Sequence, residues 1–138
     1  EWSFYLILDQ FLNAPAESRR AAAGWAGDRY ALYEGSKPGD VFIVQLTAWD
    51  TQNDAQEFFD AYAKRTWRRY PNAKAASINS SEDTKNVNGA DQNPVRERHE
   101  WQTSEGRVVL ELQGSRVLIM EGIPEKADTK ALLKATWQ

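Results

Sequence analysis

The pair His99-Glu100 is the first feature of this sequence that could do chemistry, because a His beside a Glu occurs in zinc peptidases. Those enzymes carry a second His three positions after the Glu, so that two imidazoles share one helical face and hold the metal. Thr103 stands at that position here. The sequence also predicts a strand around these residues, which has the wrong periodicity for the motif. We therefore predict no metal site and interpret His99 as an ordinary strand residue.

Carboxylates could supply a second kind of chemistry. Asp28 precedes the first predicted strand and Asp50 follows the second, so they could act as general acid and base if the fold brought them together. The spacing does not require this, because Asp54 suits the first turn of a helix and Asp50 suits an Asx turn. The alternative hypothesis for function is therefore a small hydrolase or isomerase that uses some of four residues: Asp28, Asp50, Glu100 or His99.

The segment 24–30, Gly-Trp-Ala-Gly-Asp-Arg-Tyr, is the most unusual part of the sequence. Its two glycines permit sharp turns, and Asp28 and Arg29 place opposite charges between two aromatic residues. As a ligand platform, Arg29 would bind a carboxylate or phosphate and Trp25 would stack on the ligand. As a structural corner, Trp25 would be buried and Arg29 would pair across the sheet. We favour the corner, since no glycine-rich phosphate-binding motif surrounds the segment.

A basic cluster occupies the end of the longest predicted helix: Lys64, Arg65, Arg68 and Arg69. Aromatic residues are interleaved with it, a pattern that also occurs in nucleic-acid sites. The net charge of the chain is -3, however, whereas nucleic-acid binders carry a basic excess that releases counterions. We therefore predict a solvated helix end whose cations complement the helix dipole, and no nucleic-acid partner.

The composition excludes several other classes of protein. The 138 residues include no Cys and one His, which removes thiol catalysis, disulfides and Cys-based or multi-His zinc sites. A membrane-spanning helix needs about 20 consecutive apolar residues, and no apolar run in this sequence is nearly that long, so we predict no membrane insertion. No cofactor motif is present, and we predict no cofactor. The chain begins at Glu1 rather than Met, so we expect a single domain, residues 1–138, excised from a longer protein.

Hydrophobic periodicity predicts the helices and strands. Apolar residues three and four apart predict a helix over residues 2–12, although the β-branched and aromatic content of this segment is also compatible with a strand. A second short helix from Pro15, closed by Gly24, completes a helical N-terminal segment over residues 1–24. A capping box of Asn53 and Gln56 opens a long helix that Pro71 ends. The remaining predicted elements are strands over 28–34, 41–49, 96–103, 107–113 and 115–121 and a helix over 126–137.

These elements predict an α+β fold. Tight turns between the strands indicate antiparallel pairing, so we expect a twisted, mainly antiparallel sheet of about five strands covered by helices. Residues 72–94 are polar and almost free of large apolar side chains. We expect a long flexible loop there, and we interpret it as an inert insertion rather than an element that orders on a partner.

Part of the sequence resembles a known family. GWAGDRYALY at 24–33, TAWD at 47–50 and DAQEFFDAY at 54–62 resemble the C-terminal region of uncharacterised secreted or surface proteins of bacteria and haloarchaea. In those proteins an upstream region often looks like a zinc-peptidase helix with a His-Glu-x-x-His pattern. That motif is not in this chain, so the resemblance implies a longer extracytoplasmic protein but carries over no catalytic residue. The order of elements also resembles small binding domains of the PsbP/Mog1 type, which bears on fold alone.

Together these features favour a binding domain over an enzyme. We expect a non-catalytic accessory domain of an extracytoplasmic protein, which docks on an upstream domain of the same polypeptide, on a protein partner or on a ligand. Exposed aromatic side chains would supply most of the affinity. The expected contact residues are Trp25, Asp28, Arg29 and Trp49.

Overall fold

The computed structural model describes residues 1–76 and 96–138. Most of the predicted loop over 72–94 lies outside the described residues, because 77–95 are not among them. The elements in the two described ranges are, in chain order, α1 (Trp2–Leu12), α2 (Pro15–Ala22), β1 (Trp25–Glu34), β2 (Val41–Trp49), α3 (Gln52–Arg69), β3 (Lys74–Ala75), β4 (Arg96–Thr103), β5 (Gly106–Gln113), β6 (Arg116–Ile123) and α4 (Thr129–Trp137).

The described strands form one antiparallel sheet in the order β1-β2-β6-β5-β4-β3. Three of the pairs, β1–β2, β4–β5 and β5–β6, are hairpins between consecutive strands, as the turn residues predict. The α+β class is therefore confirmed. The strand count is six rather than about five, because β3 pairs with Trp101 and Gln102 of β4. A two-residue strand in a polar stretch has no alternation from which it could be predicted.

Three helices cover one face of the sheet. Side chains alternate between the two faces along a strand, and those on this face form the larger core with α1, α2 and α3: Trp49, Trp101, Val108, Leu110, Leu112, Val117 and Ile119. Phe58 of α3 lies at the centre of this layer. Its ring stacks on Trp49 with centroids 4.5 Å apart and meets Phe4 of α1 edge-on at 5.2 Å. These contacts fix α1 and α3 over the sheet.

The helix α4 covers the opposite face. The core on this side consists of Phe42, Val44, Leu46, Val109, Leu118, Met120, Ile123 and Leu133. Arg107 holds the connection before α4, because its Nη2 donates to the carbonyl oxygens of Pro124 at 3.1 Å and Ala127 at 2.8 Å. Asp128 then caps α4 by accepting from the Ala131 N–H at 3.1 Å.

The strand β1 begins earlier than its sequence predicts. It starts at Trp25 rather than at Asp28, because it pairs along the whole of β2, with Trp25 opposite Trp49 and a bulge before Gly27. The bulge accommodates the extra residue without ending the ladder. The segment 24–30 is therefore mostly strand rather than a corner between a helix and a strand.

The helix α3 also begins earlier than predicted. The capping box is formed by Thr51 and Asp54, not by Asn53 and Gln56. Thr51 Oγ1 accepts from the Asp54 N–H at 3.1 Å, and the Asp54 carboxylate accepts from the Thr51 N–H at 3.1 Å. Asp54 stands three residues after Thr51, so its carboxylate can return the bond that completes the box.

The strand β1 is the uncovered part of the fold. It lies at the edge of the sheet, and every one of its residues except Gly27 is exposed. The helices on the two faces pack over β2, β5 and β6 instead. In the described part of the chain, side chains on both faces of β1 therefore remain exposed.

Candidate functional site

Three of the four predicted contact residues lie together on β1. Trp25, at the start of the strand, is 38% exposed. Arg29 faces the α4 side of the sheet, where its Nη2 donates to the carbonyl oxygen of Thr136 at 3.1 Å. Asp28 faces the opposite side and accepts from Gln45 Nε2 at 2.9 Å. Neighbouring opposite charges thus point to different faces, as the alternation of a strand requires.

Trp49 does not share this surface. It is 3% exposed, its ring stacks on Phe58, and its Nε1 donates to Thr47 Oγ1 at 2.8 Å. Apolar residues occupy both faces of β2, so the sequence pattern alone does not show which of them pack against α1, α2 and α3. Trp49 packs in the core and contributes no exposed surface for a partner.

The hairpin β1–β2 exposes a group of large apolar side chains on the face of Asp28. Tyr30, Leu32 and Val41 are 66%, 64% and 52% exposed, and we call them the edge surface. The register of the hairpin places all three on one face of the sheet. Clustered apolar side chains that remain exposed are typical of interaction sites.

The other face of the hairpin carries a pocket of about 350 Å³. We call it the arginine pocket, and its lining includes Gly27, Arg29, Leu46, Ala48 and Arg116. Gly27, Ala48 and Arg116 are neighbours in one row across β1, β2 and β6, so two small residues form the floor beside Arg116. Sequence reasoning did not find Arg116, because its place in the pocket depends on the pairing of β6 with β2.

The second half of α3 carries a network of charges that sequence reasoning also missed. Arg65 is 4% exposed, its Nη1 donates to Glu121 Oε1 of β6 at 2.6 Å, and its Nε donates to the carbonyl oxygen of Ile7 at 3.2 Å. Arg69 donates to Glu121 Oε2 and to Glu105 Oε2, both at 3.3 Å. We call these side chains the α3 network. It ties α3 to β6 and to α1.

The prediction of a solvated helix end is therefore wrong for Arg65, although Lys64 is exposed as predicted. The signal was present in the spacing. Arg65 stands seven residues after Phe58 and three after Tyr62, which places it on the apolar stripe of the helix. A cation on such a stripe needs a buried acid as its partner.

Tyr62 and Tyr70 contact the carboxylates of the α3 network, and both have raised pKa values. Burial, together with the charge of Glu121 that its hydroxyl contacts, raises the pKa of Tyr62 well above its ordinary value. Burial and a hydrogen bond to Glu105 Oε2 at 2.9 Å raise the pKa of Tyr70 to about 12. Both hydroxyls are therefore protonated near neutral pH and donate to the carboxylates.

The predicted catalytic residues are not brought together. His99 faces the helices, whereas Glu100 faces the other side and is paired with Arg98 at 2.9 Å. Asp28 lies on β1, which is four strand spacings from β4 in the sheet, or about 19 Å. Asp50 is exposed just after β2. Within the described ranges, these residues form no pair that could act as general acid and base. The structure therefore offers no active site for the hydrolase or isomerase hypothesis in those ranges.

The sequence predicts neither a metal site nor membrane insertion, and two structural findings concern these predictions. In residues 1–76 and 96–138, no three His, Asp or Glu side chains are grouped closely enough to hold a metal ion. Among the described helices, none combines the length and the apolar character needed to cross a membrane.

The fold and the candidate site define an α+β domain with an open antiparallel sheet and an uncovered edge strand. The chain belongs to the family described as a domain of unknown function (DUF8575), whose family model matches residues 1–133. No curated protein and no solved structure matches the chain.

Proposed function

We propose that this domain binds a protein partner, and that an extended segment of the partner pairs with β1 as an additional strand. One observation carries the proposal. Within residues 1–76 and 96–138, the ten-residue strand β1 lies at the sheet edge, pairs with β2 on one side and has exposed side chains on both faces. An unpaired strand edge presents backbone N–H and C=O groups to which another chain can hydrogen-bond.

The side chains of β1 support specific binding. Tyr30 and Leu32 offer apolar area on one face, and Trp25 lies at the start of the strand. Aromatic residues of this kind contribute much of the affinity at protein interfaces. Asp28 and Glu34 flank the apolar positions on the same face, and charges on an edge strand oppose indiscriminate pairing. A partner strand would therefore need apolar residues at its centre and cations near its ends on this face.

The resemblance to secreted and surface proteins supports an extracytoplasmic setting. The resembling region, about residues 24–62, includes the whole of β1. We propose an upstream domain of the same polypeptide as the source of the partner strand. Sequencing the coding region upstream of Glu1 tests this part. A further domain upstream, such as one with a His-Glu-x-x-His helix, would support it, whereas a signal peptide that ends directly at Glu1 would contradict it.

Selection of phage-displayed peptides of the length of β1 tests the docking itself. The wild-type protein is the bait, and selected peptides are then measured against two variants. In the double variant Tyr30→Lys/Leu32→Lys, two exposed positions of β1 receive charges that oppose pairing with a further strand. The matched control is Leu6→Lys, the same kind of change at a position of α1 that is 50% exposed.

We expect the selected peptides to bind the wild type and Leu6→Lys alike and to lose affinity by about tenfold or more for the double variant. The backbone amides of β1 should also become protected from hydrogen exchange in the complex. Thermal unfolding checks that all three proteins are folded. Equal binding to the double variant, or the failure of the wild type to select any peptide, would overturn the proposal.

A further inference from the structure

The arginine pocket lies where a strand paired with β1 could reach it. Gly27, Ala48 and Arg116 occupy one row across three strands, and Arg29 is two residues along β1 on the same face. Gly27 has no side chain, and a Cβ at this position would meet open space. A side chain from a docked strand can therefore extend across Gly27 into the pocket. A docked strand would lie about 4.8 Å from β1 and three strand spacings, about 14 Å, from β6. A carboxylate from it would therefore meet Arg29 first, and would meet Arg116 where that side chain extends over Ala48 toward Gly27.

The pocket carries positive charge. The bond from Arg29 Nη2 to the carbonyl oxygen of Thr136, at 3.1 Å, holds that guanidinium in place and leaves its other N–H groups as donors. Arg116 makes no ion pair with any residue in the described part of the chain. The carboxylate of Asp28 is turned to the opposite face, where it accepts from Gln45.

We propose that the arginine pocket binds the carboxylate of an Asp or Glu side chain of the docked strand, an inference that rests on the function proposed above. A guanidinium matches a carboxylate in a planar arrangement of two hydrogen bonds, and such charged bonds are stronger than neutral ones. Both arginines are exposed, so each charged bond should contribute about 1 kcal/mol or less. The partner strand is thus acidic on the face of α4.

Two peptide libraries of the length of β1 test this, one with Glu and one with Gln at alternate fixed positions. Peptides selected from each are measured in the same buffer against the wild type and three variants. Arg116→Gln removes one charge of the pocket without changing β1. Arg20→Gln removes an exposed charge on α2 and is the matched control. Tyr30→Lys/Leu32→Lys tests the dependence on the edge strand.

We expect the wild type and Arg20→Gln to bind the Glu peptides about fivefold more tightly than the Gln peptides, and Arg116→Gln to show a clearly smaller preference, because only Arg29 remains in the pocket. The same preference in Arg116→Gln, or none in the wild type, would overturn the assignment of the pocket. If Glu and Gln peptides bind equally but both fail on the edge variant, strand docking stands and the pocket assignment falls. If binding survives the edge variant, strand docking falls, and the inference falls with it.

Discussion

Replacing Glu121 by Leu tests the physical account of the α3 network. Leu has a similar volume but neither charge nor acceptor atoms, so Arg65 would stay buried without its counter-ion and the buried Tyr62 hydroxyl would lose its acceptor. Removing one partner of a buried ion pair costs about 3–5 kcal/mol. Arg65 keeps its bond to the carbonyl oxygen of Ile7 at 3.2 Å, and Glu121 itself is 16% exposed. We therefore expect a loss near the lower end of this range, about 3 kcal/mol.

Urea unfolding followed by tryptophan fluorescence measures this loss, and the melting temperature should fall by about 10 °C. Glu105→Leu is the matched control, because Glu105 contacts the same Arg69 at 3.3 Å but is 63% exposed. Glu105→Leu should lower the free energy of unfolding by about 1 kcal/mol or less, as for other exposed ion pairs. The double variant Arg65→Met/Glu121→Leu replaces the buried pair by apolar side chains and should recover more than half of the stability that Glu121→Leu loses.

Two results would refute this account. If Glu121→Leu destabilises the protein no more than Glu105→Leu, the burial of Arg65 does not make the pair energetically important. If the double variant loses as much stability as Arg65→Met and Glu121→Leu lose together when each is measured alone, Arg65 and Glu121 are not coupled.

Three further predictions concern the core, a turn and the pH dependence. Trp49→Ala should cost about 4 kcal/mol, because Trp49 is buried, whereas Trp25→Ala should cost less than about 1 kcal/mol; equal losses in urea unfolding would make Trp25 a core residue. Gly106→Ala should cost about 2 kcal/mol or more, because φ is 103° and the added Cβ would lie 2.9 Å from backbone atoms of the next strand; an unchanged urea midpoint would contradict this. The pKa of Tyr70 is raised to about 12 in the folded protein. The stability that this shift contributes is fully present below the ordinary tyrosine pKa of about 10 and is lost as the pH rises toward 12. Between about pH 10 and pH 12, the free energy of unfolding of Tyr70→Phe should therefore fall less than that of the wild type. Identical pH profiles in urea unfolding would contradict this role of Tyr70.

The elements with strong local patterns could be predicted from the sequence. The helix α1 has its predicted bounds, and β2 is the largely buried strand that apolar residues on both of its faces indicate. The start of α3 could not be placed, because Thr51 and Asn53 are both good capping residues and only the end of β2 selects between them. The strand β3 exists through its partner β4 alone, so no property of its own two residues indicates it.

The candidate site was only partly accessible to sequence reasoning. The unusual composition of 24–30 indicated Trp25, Asp28 and Arg29, and these residues do lie on one exposed strand. The exposure of Tyr30 and Leu32 was not expected, because alternating apolar residues in a strand normally face a core. That face of β1 is exposed because the helices pack over other strands.

The sequence by itself determined the class of fold and the type of nearly every element, because the periodicity of apolar residues and the turn residues act within a few positions of the chain. Only the tertiary structure decided which of these apolar residues are covered. It brought Arg65 to Glu121 across 56 residues and placed Arg29 and Arg116 in one pocket across β2, and among the described residues it put β1 at the edge of the sheet. Such relations depend on the order of strands in the sheet and on the placement of helices over it, which are set by the burial of the whole chain rather than by any local pattern.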